Sequence, residues 1–454
     1  MGNPHVLAIP FPAQGHVIPL MELSQCLLKH GIRITFVNTD DKHKQLMDAL
    51  AMKDGVGNQI QLVSVPLGLH SPEISGQVTE KLVEVVSRVM PKKVEELMEQ
   101  INASDGDKIT CVLADPLLKW AMEIAMEKRI KRAAFYCASA TQLVFRARNQ
   151  KLIDDGIIDN DGTPKKEMFQ LSPNMPAMKT AHIAFVGLGS TKLQKLFFQT
   201  SVRNSQSFEL AEWVLCNSTY DLEPAVFEFD PKFIPIGPLL ASNRLGDTAG
   251  SFWQEDLTCL KWLDQQQPQS VIYVAFGSTT LLDRTQFQEL AMALELSNRP
   301  FLLVVRPDIT DKINDAYQKG FQDRIATRGH IVSWAPQQKV LAHPSIACFI
   351  SHCGWNSTME GISNGVPFLC WPYFGDQMHN ENYICNIWRI GLGFNRDGSG
   401  IITSEEIKSK VQELLDNGKY KANALNLKER VMNSIKEGGS SYNNFNHFVE
   451  WLKA

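Results

Sequence analysis

Apolar positions along this chain come in short runs separated by amphipathic stretches. His5 to Pro10 is a short apolar run that ends in a Pro/Gly loop. Val17 to His30 follows with Leu20, Leu23, Leu27 and Leu28 at helical spacing, which predicts a helix. Ile32 to Val37 is β-branched and predicts a strand, as do Ile60 to Val65, Thr110 to Leu113, Ala133 to Tyr136 and Trp213 to Cys216. Helical stretches such as Leu118 to Lys128 lie between them. The pattern stops near Phe233 to Pro238, and the stretch from Ala241 to Asp256 is rich in Gly, Ser, Asn and Asp, as in a linker. The alternation then restarts. Strands are expected at Ser270 to Phe276, Phe301 to Val305, His330 to Ser333, Ala347 to Ile350 and Pro367 to Cys370. Helices are expected at Thr285 to Leu296, Ser404 to Asp416, Asn423 to Lys436 and Tyr442 to Lys453. Strands alternating with helices signal βαβ units and a parallel sheet. The expected fold class is therefore α/β, with two doubly wound Rossmann-like domains: 1–240, a linker over 241–256, and 257–437. The apolar set Phe445, Phe448, Val449, Trp451 and Leu452 suggests that the last helix, 442–454, returns to the first domain.

Length and composition narrow the function. The 454 residues are 44% hydrophobic and 21% charged, with a formal net charge of −4. That balance lacks the basic excess that nucleic-acid or anionic-membrane binding demands, so no nucleic-acid partner is expected. No apolar run reaches the about 18 residues of a membrane span. The nine cysteines form no C-x-x-C pair and fit free thiols in a reducing, cytoplasmic setting. There the sequons at Asn102, Asn217 and Asn356 would carry no glycan. No G-x-G-x-x-G follows a strand, which disfavours a dinucleotide dehydrogenase. No His/Cys/Asp set has metal spacing along the chain, so no metal is expected.

Chemistry-bearing residues concentrate between Trp334 and Gln377. His352-Cys353-Gly354 ends a strand and Asn356-Ser357-Thr358 opens a helix. A helix N-terminus with free N–H groups is a ready anion site, and Gly354 permits close backbone approach. His352 suits a phosphate oxygen. Glu360, one turn on, suits two vicinal hydroxyls. Trp334 follows a strand and offers a flat face to a base. Asp376 and Gln377 suit sugar hydroxyls. Singly, each has a plainer use: Trp334 and Trp355 in packing, Asn356 or Ser357 as a helix cap, Glu360 on a solvated face. Their clustering at the strand ends of one domain favours a binding site.

A second candidate pair lies in the first half. His16 follows the first strand in Phe11-Pro12-Ala13-Gln14-Gly15-His16, and Asp115 ends a later one. Ligands of doubly wound sheets bind at carboxyl strand ends. A histidine oriented by an aspartate is a standard general base. Helix capping by both residues is the alternative.

The run from Trp334 to Gln377 resembles the signature box of plant family 1 UDP-glycosyltransferases. The matching elements are W-A-P-Q, V-L-x-H, H-C-G-W-N-S, the glutamate, G-V-P, and D-Q. Similarity extends from P-F-P-A-Q-G-H-V-I-P to F-V-E-W-L. The resemblance implies the GT-B fold, with two Rossmann-like domains facing across a cleft, and sugar transfer with inversion. It implies no bound cofactor; UDP-glucose would be the co-substrate. Trp334 would stack on uracil, with the Ala335 backbone bonding the base edge. Gln337 and Glu360 would hold the ribose hydroxyls. His352, Asn356 and Ser357, with Ser278 assisting beside Gly354, would bind the diphosphate. Trp355, Asp376 and Gln377 would contact the hexose, Gln377 being associated with glucose. His16 and Asp115 would be the catalytic dyad. Cys137 stands where relatives often carry a Ser or Thr that contacts the sugar; Ser139 or Thr141 would have to substitute. The acceptor, a small lipophilic molecule of flavonoid, terpenoid, steroid or phytohormone type, would meet loops around His70 to Gln77, Gln142 to Phe145 and Thr180 to Thr191. Gln142, Phe145, Phe185 and Leu188 are the candidate contacts. A monomer is expected. The competing readings are an epimerase or phosphorylase on the same fold, and a catalytically inactive nucleotide-sugar or small-molecule binding protein.

Overall fold

The strands of this chain are nearly continuous runs of Val, Ile, Leu and Phe, the pattern of parallel strands covered on both faces. In the computed structural model, which describes residues 4–50, 60–67, 80–103, 108–186, 188, 190–240, 253–306 and 320–454, they form two parallel sheets. The expected acceptor loop around His70 to Gln77 and residues 241–252 of the expected linker lie outside the described residues. The chain divides into two compact units. One comprises Met1–Trp253, Phe374–Asp376 and Asn433–Ala454; the other comprises Gln254–Tyr373 and Gln377–Met432.

The first unit carries β1 (His5–Ile9), β2 (Arg33–Thr39), β3 (Gln61–Val65), β4 (Cys111–Ala114), β5 (Lys131–Tyr136), a short antiparallel pair of β6 (Met168–Phe169) and β7 (Met178–Lys179), β8 (Trp213–Cys216) and β9 (Phe233–Pro235). Seven of these form one sheet in the order β3-β2-β1-β4-β5-β8-β9. Side-chain alternation sends Leu7 and Ile9 into one core, and Val6 and Ala8 into the other. Helix α1 (Gln14–Leu28) covers the second core with Val17, Leu20 and Leu23. The last helix packs into that same core through Phe445, Phe448, Val449 and Leu452. It is tied down where the Lys131 ammonium donates to the Trp451 carbonyl at 2.6 Å and Asn444 donates to the Pro235 carbonyl at 2.8 Å.

The second unit carries β10 (Val271–Ala275), β11 (Phe301–Val304), β12 (Gly329–Val332), β13 (Ile346–Ser351), β14 (Phe368–Cys370) and β15 (Gly391–Gly393). Their order is β12-β11-β10-β13-β14-β15. The alternation does not mark β9 or β15, yet both join as edge strands. Gly391 is needed there because a Cβ would meet the Phe368 carbonyl oxygen at 2.6 Å.

In each sheet the strand order reverses once, between β1 and β4 and between β10 and β13. Ile9 pairs with Ala114, and Ala275 with Ser351. Within each sheet, the two segments leaving these strands therefore emerge side by side at that sheet's own topological switch point, where open α/β sheets bind ligands. They are the segments that hold His16, Asp115, the Gly277-Ser278 turn and His352.

Candidate functional site

In the first unit, helix α1 begins at Gln14 rather than at Val17, so His16 sits in its first turn and not in a preceding loop. Gly15 weakens the helical signal in sequence, and Ala13 supplies no side-chain cap. From there the imidazole Nδ1 lies 2.6 Å from Asp115 Oδ2. The other carboxylate oxygen of Asp115 accepts from the Leu117 backbone N–H at 2.9 Å, which turns Oδ2 toward the ring. The Cys137 sulfur lies 3.2 Å from the same Nδ1. Phe11 packs against the imidazole, with ring centroids 5.4 Å apart. His16 keeps 27% of its side chain exposed, against 4% for Asp115.

Burial works against protonation of His16, but the neighbouring Cys137 sulfur and Asp115 carboxylate outweigh it, so His16 titrates well above its ordinary value. Burial also pushes the Cys137 thiol up. Asp115 is the partner nearest the ring, at 2.6 Å against 3.2 Å for the sulfur. In the neutral form of the ring, with the Nδ1 proton shared toward Asp115, Nε2 carries the lone pair that a general base requires.

Cys137 is the member of this site whose contact the sequence does not reveal. Its neighbours cannot replace it as sugar contacts. Ser139 is fully buried and caps helix α2 (Ala140–Ala147) by accepting from Gln142 N–H. Thr141 is buried and donates to Glu223 at 2.7 Å. Glu223 also accepts from the backbone N–H groups of Ala140 and Thr141 and from the Ser218 hydroxyl. This buried carboxylate on the amides of α2 fixes the turn that carries Cys137.

Three of the four acceptor candidates belong to the core instead. Gln142 is buried; its amide donates to the His182 carbonyl at 2.9 Å and accepts from Ala184 N–H at 3.0 Å. Phe145 and Phe185 are buried and pack edge or tilted against Phe169 and Phe198. Apolar character in a loop signals burial as readily as a ligand wall. Leu188 alone of the four is partly exposed.

Several donor candidates come together in the second unit, His352 with Gly277 and Gly354, and Gln337 with Ser357 and Glu360. His352 follows β13, and its imidazole lies between two glycines. A Cβ on Gly277 would meet Nε2 at 2.6 Å, and one on Gly354 at 2.4 Å. Gly277 has a φ of 67° and Cys353 one of 63°. The non-glycine left-handed residue is the more costly; the Asn380 amide holds its carbonyl at 2.8 Å. Burial and the Arg306 guanidinium push His352 down to about 4, so it meets a ligand as a neutral imidazole. Arg306 is itself buried and donates to the carbonyls of Gly277 and Thr280, which fixes the turn holding Ser278. Helix α3 (Gln337–Ala342) follows Trp334-Ala335-Pro336.

Helix α4 (Trp355–Asn364) has Gly354 as its N-cap and no side-chain cap. Its first amides, at Trp355, Asn356 and Ser357, form an anion site in a helix long enough to carry a macrodipole. Trp355 is 4% exposed and its indole packs near Trp388, so its backbone is what it offers a ligand. At the start of α3, Gln337 donates to Ser357 at 2.8 Å and to Glu360 at 2.5 Å, and accepts from the Tyr273 hydroxyl at 3.0 Å. Burial pushes Glu360 up to about 7, against the opposing bonds from Gln337 and Gln338. Trp334 is partly exposed beside the buried Ala335, and its carbonyl accepts from Asp256 N–H at 2.8 Å. Gln377 is buried, and its side-chain oxygen accepts from Tyr373 N–H at 2.7 Å; Asp376 beside it is partly exposed.

A turn that seats an imidazole against an uncapped helix N-terminus, next to a carboxylate–amide pair, fits a nucleoside diphosphate. The comparisons agree. A family model described as UDP-glucoronosyl and UDP-glucosyl transferase matches residues 16–432. UDP-glycosyltransferase 83A1 of Arabidopsis thaliana is 47% identical over 100% of this chain and 98% of its own length. The 7-deoxyloganetin glucosyltransferase of Catharanthus roseus is 31% identical over 100% and 97%. Among solved structures, Os79 from O. sativa in complex with UDP has a TM-score of 0.81 at 28% identity, covering 98% of this chain and 100% of that one. This chain is therefore an enzyme of the glycosyltransferase class that draws on a UDP-sugar donor. It belongs to the plant UDP-glycosyltransferase family, with two Rossmann-like units of the GT-B class. No helix among the described residues is long and apolar enough to cross a membrane.

Proposed function

We propose that this enzyme transfers glucose from UDP-glucose, with inversion, to a hydroxyl of a small lipophilic acceptor. His16 takes the acceptor proton on Nε2 as the oxygen attacks the anomeric carbon and UDP departs. Asp115 keeps the Nδ1 proton in place and stabilises the imidazolium. The observation that carries this reading is the 2.6 Å contact between His16 and Asp115 at the carboxyl ends of β1 and β4, because it gives the ring the tautomer a base needs. The first unit would carry the acceptor, the base and Asp376, and the second the rest of the donor site.

For the donor, Trp334 stacks on uracil and the Ala335 backbone reads its edge. Gln337 and Glu360 hold the ribose, exchanging their mutual bond for the two hydroxyls. His352, Ser278, Asn356, Ser357 and the amides after Gly354 hold the diphosphate. The Trp355 backbone, Asp376 and Gln377 meet the hexose. Glucose is supported by Gln377 and by the name of the Catharanthus roseus relative. A lipophilic acceptor is supported by Os79 from O. sativa, solved in complex with U2F and trichothecene at 29% identity. Steady-state rates with UDP-glucose, UDP-galactose, UDP-xylose and UDP-glucuronate, over a panel of phenol and alcohol aglycones read by mass spectrometry, test the proposal. UDP-glucose should be the best donor and a hydroxyl the site of attachment. Preference for another donor, or no transfer to any aglycone, contradicts it.

A further inference from the structure

We infer that His16, Asp115 and Cys137 form an inhibitory binding site for a divalent transition-metal cation of the zinc type. Along the chain these residues show no metal-ligand spacing, yet the fold brings them together from three separate segments. Among the described residues they are the one group of three His, Cys or acidic side chains whose ligand atoms all lie within 4.8 Å of one another. Nδ1 of His16 stands 2.6 Å from Asp115 Oδ2 and 3.2 Å from Cys137 Sγ.

The donor set suits the ion. Imidazole nitrogen, carboxylate oxygen and thiolate sulfur are the three protein ligands of zinc, at about 2.0–2.1, 2.0–2.2 and 2.3 Å. Around a tetrahedral ion such atoms stand roughly 3.3–3.6 Å apart, as follows from those bond lengths. The His16–Asp115 pair would have to open from 2.6 Å by about 0.7 Å and the His16–Cys137 pair from 3.2 Å by about 0.4 Å. A thiolate and a carboxylate together cancel the charge of the dication. The carboxylate is already oriented through its other oxygen by Leu117 N–H at 2.9 Å, the kind of outer contact that holds metal ligands in place. Cys137 and Asp115 are buried, while His16 retains 27% exposure, so an ion would enter from the side of the imidazole.

The protons balance simply. When His16 is neutral, the ion takes Nδ1, the ring proton moves to Nε2, and the Cys137 thiol proton goes to solvent. When His16 is cationic, a second proton is released. In either case Nε2 ends protonated and has no lone pair for an acceptor hydroxyl. Inhibition by this route rests on the proposed role of His16; binding of the ion does not.

The test uses the purified, chelator-treated full chain and cobalt(II) as an optical probe for the zinc position. One equivalent should give a thiolate-to-cobalt charge-transfer absorption, which zinc removes. The band should be lost in Cys137→Ser, whose melting curve confirms that it is folded. Zinc should slow the wild-type transferase in step with occupancy. In Cys137→Ser, the zinc concentration for half inhibition, taken against that variant's own metal-free rate, should rise by at least about tenfold. A band that persists in Cys137→Ser, or no band in the wild type, overturns the site. A Cys137-dependent band without inhibition supports the site and contradicts His16 as the base.

Discussion

His16 Nδ1 and Asp115 Oδ2 lie 2.6 Å apart although 99 positions separate them in the chain. Only the parallel pairing of β1 with β4 makes this contact. Replacing Asp115 by Asn keeps the size of the side chain but lets it present an amide N–H to the ring. The preferred tautomer then changes, and Nε2 loses its lone pair. We expect Asp115→Asn to lower kcat/KM within the range of about 10²–10⁴-fold that general-base catalysis supplies. UDP affinity, measured by calorimetry, should stay at the wild-type value.

Gly354 and Gly277 set the position of His352. A methyl group on Gly354 would come within 2.4 Å of the imidazole Nε2, so the ring must leave its seat. His352→Ala should weaken UDP binding by about 1.5–3 kcal/mol, the loss of a hydrogen bond to a charged group. Gly354→Ala should weaken it at least as much while leaving His352 in the chain. Titration calorimetry with UDP measures both; wild-type affinity in folded Gly354→Ala would remove His352 from the diphosphate site.

Glu360 is a partly buried carboxyl held by Gln337. Its carboxyl is pushed up from 4.5 to about 7 by burial. Between those values the folded protein holds a proton that the unfolded chain has lost. The contribution of Glu360 to stability therefore falls as pH rises through that window, and the penalty is complete above about 7. Glu360→Gln should gain on the wild type in Tm as pH goes from about 5 to about 8, while binding UDP more weakly because the ribose loses a charged acceptor. Melting curves at both ends of that range, with calorimetry at the upper one, check the opposite signs.

Much of the fold can be read from the sequence because strands buried on both faces must be continuous apolar runs. The exceptions have local causes. Gly391–Gly393 lacks the apolar run because its backbone packs against Phe368. Gly15 hides the first turn of α1. In the candidate site, the residues from Trp334 to Gln377 are legible as one block because they are consecutive in the chain, although β11 and β10 separate β12, which leads to Trp334, from β13. The approach of Cys137 to His16 is not, since it depends on a turn fixed by the distant Glu223. Gln142, Phe145 and Phe185 mislead for a related reason. Nothing in their own segments shows that His182, Phe169 and Phe198 fold over them.

The last helix is held by packing more than by polar contacts. Phe448 is fully buried in the core it shares with β1 and β2, with its ring 5.5 Å from that of Trp213. Phe448→Ala should destabilise the chain by about 3–5 kcal/mol, the usual cost of emptying a buried aromatic position. Urea denaturation followed by tryptophan fluorescence reads the loss, since Trp213 and Trp451 flank the site.

The central claim is that His16 is the base. The most direct measurement is kcat/KM of wild type and His16→Ala for a matched pair of acceptors, one an aliphatic alcohol and one an acidic phenol, at fixed saturating UDP-glucose. The alcohol keeps its proton until it reacts, whereas the phenol is partly ionised without help. His16→Ala should lose about 10²–10⁴-fold on the alcohol and clearly less on the phenol, with UDP affinity unchanged. Near wild-type rates with both acceptors, in a variant that is folded and binds UDP, would contradict the account.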